Sequence, residues 1–130
     1  MNCCILVVED NQVNRELLCD WLEMEGYEVW SAADLEASYA IFSKRLPDAV
    51  LLDINLGKDD GLDLLAWMRQ KTETHEIPVI AVTAHALMAE QERVLTAGCR
   101  ACLSKPIDFR LLRAELGRWL QDSRTSATRS

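Results

Sequence analysis

The stretch Ala49-Val50-Leu51-Leu52-Asp53-Ile54-Asn55-Leu56 places a carboxylate at the end of four consecutive apolar residues. An apolar run of that length reads as a strand buried on both faces, as at the centre of a parallel sheet. Asp53 then stands at the strand's carboxyl end, where open α/β sheets hold their ligands. A strand that merely stops at a polar residue would look the same, so the other strand ends decide the matter. Cys3-Cys4-Ile5-Leu6-Val7-Val8 is a second buried strand, and it ends in Glu9-Asp10.

Helical spacing begins after Asn11. Gln12 to Glu25 reads as a helix with Val13, Leu17, Trp21 and Met24 on its core face, widened by Leu18 and Leu22 and stopped by Gly26. Tyr27 to Ser31 alternates like a strand nearer the sheet edge, and Asp34 caps a helix from Leu35 to Lys44. After the Asp53 strand, Gly57-Lys58-Asp59-Asp60-Gly61 reads as loop and Leu62 to Gln70 as a third helix. Ile77 to Val82 is a fourth strand, ending in Thr83-Ala84. A weakly amphipathic helix follows, from Leu87 to Ala97. A short strand, Ala101 to Leu103, leads into Lys105-Pro106, and Asp108 caps a last helix with Leu112, Leu116, Trp119 and Leu120 facing the core. Five strands alternating with five helices predict a doubly wound α/β domain over residues 1–122, with 123–130 a disordered tail or the start of a linker.

The chain's 130 residues suffice for one core without disulfides or metals to staple it. Its net charge of −7 disfavours direct nucleic-acid binding, which depends on neutralising phosphates. No apolar run is long enough for a membrane span, and no basic leader precedes the first strand, so a cytoplasmic domain is expected. The five cysteines are an odd number and are scattered, unlike a disulfide framework. Only Cys99-Arg100-Ala101-Cys102 has the spacing of a redox or zinc pair, and no second pair or histidine accompanies it.

Glu9, Asp10, Asp53, Thr83 and Lys105 are thus expected at one edge of one sheet. Three gathered carboxylates repel one another and favour a divalent cation, and oxygen ligands suit Mg²⁺. A cation keeps Asp53 ionised and nucleophilic, while a hydroxyl and an ammonium opposite suit a group bearing several anionic oxygens. Phosphoryl transfer is the matching chemistry.

From Cys3 to about Leu120 the chain resembles the receiver domain of two-component response regulators. The resemblance is carried by Val7-Val8-Glu9-Asp10-Asn11, Leu51 to Leu56, Asp60-Gly61, Val82-Thr83-Ala84, Ala97-Gly98 and Ser104-Lys105-Pro106, in this order and spacing. It implies a flavodoxin-like sheet of order 2-1-3-4-5 and a phosphoacceptor at Asp53, charged by a histidine kinase or a histidine phosphotransfer protein. It implies Mg²⁺ held by Asp10, by Glu9 largely through water, by Asp53, and by the backbone carbonyl of Asn55. Thr83 is implied as the switch hydroxyl, Lys105 as the phosphoryl-binding ammonium and Pro106 as the residue after a cis bond. Ala84 leaves the pocket accessible, and Asn55 and His85 occupy positions that tune dephosphorylation.

Three departures from that family's pattern stand out. Gly57 replaces a common proline, the loop at Lys58, Asp59 and Asp60 is unusually charged, and Cys102 occupies the place of a Tyr or Phe that moves with the threonine. Competing readings are a receiver used only for binding, an aspartyl-nucleophile phosphatase of the haloacid-dehalogenase kind, and a redox protein built on Cys99 and Cys102. The phosphatase expects an acid where Asn55 stands. No output-domain pattern follows Trp119, which fits a stand-alone receiver and equally one belonging to a hybrid kinase or longer regulator.

Overall fold

A computed structural model describes residues 3–57, 59–84 and 87–129, with side chains described as far as Leu120. In chain order the elements are β1 (Cys4–Val8), α1 (Gln12–Met24), β2 (Glu28–Ala32), α2 (Leu35–Phe42), β3 (Ala49–Asp53), β4 (Asn55–Leu56), β5 (Asp59–Asp60), α3 (Leu62–Arg69), β6 (Val79–Thr83), α4 (Met88–Thr96), β7 (Ala101–Ser104) and α5 (Phe109–Arg129). Five strands form one parallel sheet in the order β2-β1-β3-β6-β7, which is 2-1-3-4-5 when only its own strands are counted.

The continuous apolar runs are explained by the two faces they serve. In β1, Leu6 and Val8 pack with Leu35 and Phe42 of α2, Leu64, Leu65 and Met68 of α3, and Val94 of α4. Ile5 and Val7 point the other way, to Leu18 and Leu22 of α1 and Leu112, Leu116 and Leu120 of α5. Helices therefore cover both faces of the sheet, and all five residues of β1, β3 and β6 are buried.

Local chemistry sets the helix starts. The Asn11 side chain accepts from the Asn14 N–H at 2.9 Å, the Asp34 side chain accepts from Ala37 N–H at 2.8 Å, and Asp108 accepts from Arg110 N–H at 2.9 Å.

Two expectations require correction. The core face of α1 is formed by Leu18 and Leu22, whereas Val13, Leu17 and Met24 are 72%, 55% and 83% exposed. The helix carries two adjacent apolar stripes, and periodicity alone does not say which one the sheet covers. Second, Gly57 to Gly61 is not simply loop, because β4 and β5 pair antiparallel, Asn55 with Asp60 and Leu56 with Asp59. Gly57 at φ +65° supplies the left-handed backbone that so tight a reversal needs. The α5 backbone is helical from Phe109 to Arg129. Extending an existing helix adds a hydrogen bond for each residue ordered, without a new nucleation cost.

Candidate functional site

The acids lie where the parallel strands end. β1 delivers Glu9 and Asp10 just past Val8, and β3 delivers Asp53, two positions along the central edge of the sheet. Glu9 and Asp53 are each only 2% exposed, while Asp10 lies open at the mouth. Together the three present carboxylate oxygens within 4.8 Å of one another.

Lys105, half-buried beyond β7, is the cation of this cluster. Its Nζ lies 2.9 Å from Asp53 Oδ2 and 3.2 Å from Glu9 Oε1. Burial pulls the ammonium's pKa down, but Asp53 and then Glu9 outweigh it and leave the lysine above its ordinary value. Burial, and next the Asp53 carboxylate, push Glu9 up from 4.5 to about 7, against the opposing pull of the Asn11 N–H and Lys105. One ammonium thus leaves the cluster with surplus negative charge. All-oxygen donors, two of them shielded from water, fit a small hard cation of the Mg²⁺ kind.

Backbone geometry supports the acids from behind. Asn55 N–H donates to Asp53 Oδ1 at 2.9 Å, and Asn11 N–H donates to Glu9 Oε2 at 3.1 Å. Gly61 backs β3 so closely that a Cβ there would stand 2.4 Å from the Asp53 carbonyl oxygen. This is the physical reason for a glycine after Asp60. A Cβ on Gly57 would stand 3.3 Å from Asp10 Oδ2, so the β4–β5 reversal forms one wall of the acidic cleft.

Thr83 ends β6 fully buried, with Oγ1 3.4 Å from the Asn55 side-chain oxygen. Its carbonyl accepts from Lys105 N–H at 2.9 Å, tying the hydroxyl-bearing strand to the lysine-bearing one. Ala84 is exposed beside it, the Lys105–Pro106 peptide is cis, and His85 falls outside the described residues. Cys102 is half-buried against the α2–α3–α4 side of the core.

The sequence reading missed Arg15. From the first turn of α1 its Nη1 donates to the Glu9 carbonyl at 2.9 Å and lies 3.5 Å from the Asp10 carbonyl. A permanent charge thereby grips the loop that carries two of the acids. The only signal available was an arginine one helical turn past the N-cap.

A sequence model described as the response regulator receiver domain matches residues 5–117. The chain belongs to that family. It is 38% identical over 103 residues to the polar-differentiation response regulator DivK of Brucella anthropi, covering 79% of this chain and 84% of that one. The DivK of Brucella ovis is 40% identical over 104 residues, with the same shares. Among solved structures, the receiver domain of the sensor histidine kinase PA1611 from Pseudomonas aeruginosa has a TM-score of 0.84 at 33% identity. The match covers 93% of this chain and 99% of that one, and the PA1611 domain holds a magnesium ion in its active-site cleft. The receiver domain of a signal transduction histidine kinase from Syntrophus aciditrophicus also has a TM-score of 0.84, at 27% identity, covering 92% and 91% of the two chains. As a receiver domain, this chain is a switch of two-component signal transduction.

The redox reading loses ground on this geometry. No disulfide links the described cysteines, and burial, then Cys102, pushes the Cys99 thiol up to about 12, the opposite of a reactive thiolate. No helix among the described residues is long and apolar enough to cross a membrane.

Proposed function

We propose that Asp53 is the phosphoacceptor of this receiver. The observation that carries the reading is the convergence on its carboxylate of Lys105, the Asn55 N–H and the two other acids. An Asp53 oxygen attacks the phosphorus of a phosphohistidine, the P–N bond breaks, and the imidazole leaves with a proton. Burial and the fixed Asn55 N–H hold the attacking carboxylate in place, so little reorganisation remains at the moment of transfer. Lys105 moves its charge from Asp53 to the phosphoryl oxygens, and Thr83 turns its hydroxyl to the same group. Asn55 and His85 are, in this reading, the positions that tune its later removal by water.

Asp10, Asp53 and the Asn55 carbonyl would hold Mg²⁺ in this reading, with Glu9 contributing largely through water. When bound, Mg²⁺ supplies charge neutralisation at the transferred phosphoryl oxygens. The receiver thus catalyses only its own phosphorylation and dephosphorylation, in the cytoplasm.

The donor docks beside the acids. A cavity of about 440 Å³ opens next to Glu9 and Lys105, lined by Asn14, Leu17, Leu18, Ile107 and Phe109. With exposed Val13, it gives α1 an apolar stripe suited to a helix of a histidine kinase or histidine phosphotransfer protein.

Acetyl phosphate with Mg²⁺ tests the assignment. Mass spectrometry is expected to find one acid-stable, base-labile phosphoryl group on the parent and none on Asp53→Asn. Modification of the mutant to the parent's extent, or indifference to EDTA, refutes it. Asp10→Ala is expected to weaken Mg²⁺ binding more than Glu9→Ala.

A further inference from the structure

The edge of the sheet where the strands begin carries a second concentration of chemistry, remote from the acids. Each connecting helix runs back along the sheet, so the C-terminal ends of α2 and α3 meet there. Between them lies a cavity of about 440 Å³ lined by Tyr39, Phe42, Lys44, Arg45, Trp67 and Lys71, with Glu73 also at its wall. That volume lies in the ordinary range for small-molecule sites.

Its rings form one cluster. The Trp67 centroid is 4.9 Å from that of Tyr39 and 5.4 Å from that of Phe42, with the rings inclined at 57° and 60°. Trp67 and Tyr39 are half-buried, so each keeps surface for a ligand to cover. Lys71 Nζ stands 5.0 Å from the Trp67 centroid. Arg45 is already engaged, stacked over Trp30 at 4.0 Å and 3.9 Å from a Glu28 oxygen. Lys44 and Lys71 are different: among the described residues neither makes an ion pair with a carboxylate. Three cations against Glu73 give the lining a positive balance in a chain of net charge −7. Core packing accounts for Phe42 but not for two ammonium groups without a carboxylate partner beside a half-buried indole.

We propose that this cavity binds a small anion carrying a flat aromatic ring, the chemistry of a nucleoside monophosphate. The ring packs on Trp67 and Tyr39, and Lys44 and Lys71 take the phosphate. Stacking and charge act together here, since a cation and a π-face on one wall fit the two halves of such a ligand at once. The site is independent of the phosphoacceptor, and its test can run with the acidic cleft silent.

AMP is titrated into the full chain in EDTA without Mg²⁺, following the Trp67 indole and backbone amide signals by NMR, with adenosine and inorganic phosphate as parallel arms. Saturable shifts confined to Tyr39, Lys44, Trp67, Lys71 and their neighbours are expected for AMP. The Lys44→Glu/Lys71→Glu double variant, whose exposed positions leave the fold intact, is expected to weaken binding at least about tenfold. Trp67→Leu is expected to weaken AMP and leave the response to phosphate unchanged. Absence of saturable shifts, shifts mapping elsewhere, or full affinity in the charge-reversed variant overturns the proposal. So does binding of adenosine or of phosphate alone as tightly as AMP, because the first removes the anion from recognition and the second removes the ring.

Discussion

The Lys105 ammonium lies 2.9 Å from Oδ2 of Asp53, across a sequence separation of 52 residues. Strand order makes the meeting possible: β6 separates β3 from β7, and the lysine crosses the Thr83 strand end to reach Asp53. The contact places a positive charge against the Asp53 carboxylate. In the proposed mechanism the same ammonium must leave Asp53 for the phosphoryl oxygens, which makes the contact a sensor of the acceptor's state.

Lys105→Ala is therefore expected to uncouple chemistry from response. Glu9 and Asp53 lose their shared counter-charge, and metal-free stability is expected to fall by about 1–3 kcal/mol. Mg²⁺ is expected to restore most of that loss. A beryllofluoride titration is expected to move signals close to Asp53 but leave β7 and α5 unmoved. A mutant that retains the full set of remote shifts removes Lys105 from the mechanism.

Glu9 predicts an inverted pH dependence for the metal-free protein. Its folded-state pKa of about 7 lies above the ordinary 4.5, so between those values the native state holds a proton that the unfolded chain has released. Stability then falls as pH rises through this window, with a slope of up to about 1.4 kcal/mol per pH unit. Lys105 is also raised, but its contribution is lost only above the ordinary lysine range, outside the window. Urea unfolding in EDTA at pH 5 and pH 7 checks the sign, and Glu9→Gln is expected to flatten the slope.

Gly57 occupies the position where many receivers have proline, and the structure supplies a reason against the exchange. Its φ of +65° lies in the left-handed region, whereas a proline ring requires φ near −65°. Gly57→Pro is expected to open the β4–β5 reversal and weaken Mg²⁺, because the turn walls the cleft beside Asp10. Gly57→Ala is expected to cost about 1–2 kcal/mol from the backbone alone. Calorimetric Mg²⁺ titration of both variants measures the effect, and an unchanged affinity in Gly57→Pro contradicts it.

Arg15→Gln tests whether the loop bearing Glu9 and Asp10 is held from α1. Loss of a charged donor to two backbone carbonyls is expected to weaken Mg²⁺ by about 1 kcal/mol, with Arg15→Lys recovering part of it. Equal affinities in all three proteins would leave Arg15 with a purely structural part.

Glu9, Asp10, Asp53, Thr83 and Lys105 were legible because each sits where a hydrophobic run stops, and a parallel sheet brings all such ends to one edge. Arg15 was not, because what it grips is backbone, which carries no residue signature. The outward stripe of Val13 and Leu17 was misread as core because amphipathic spacing records a face without recording what covers it. The β4–β5 pairing was hidden in a turn-rich stretch whose ladder is only two residues long on each side.

Cys102 tests how the switch is read out. Two β7 residues separate it from Lys105, and it packs half-buried against the core side that includes Val94 of α4. Burial, then Glu90 of α4, raise its thiol pKa, so at neutral pH it is a small uncharged group. A thiol fits there whether Thr83 stays on Asn55 or turns to a phosphoryl group, whereas an aromatic ring has inward and outward positions that exclude each other. With no such pair of states, the free-energy gap between the two output surfaces narrows, and phosphorylation can shift populations only by its differential effect on them. The Thr83 loop and α1 are expected to respond most, with modest change over α4, β7 and α5. Cys102→Tyr is expected to widen that contrast, read as hydrogen exchange over residues 87–120 with and without beryllofluoride. If the parent already rearranges the whole face and tyrosine adds nothing, the lever lies in another residue, and the Arg93 contact from α4 to Asp60, at 3.6 Å, is the first to examine.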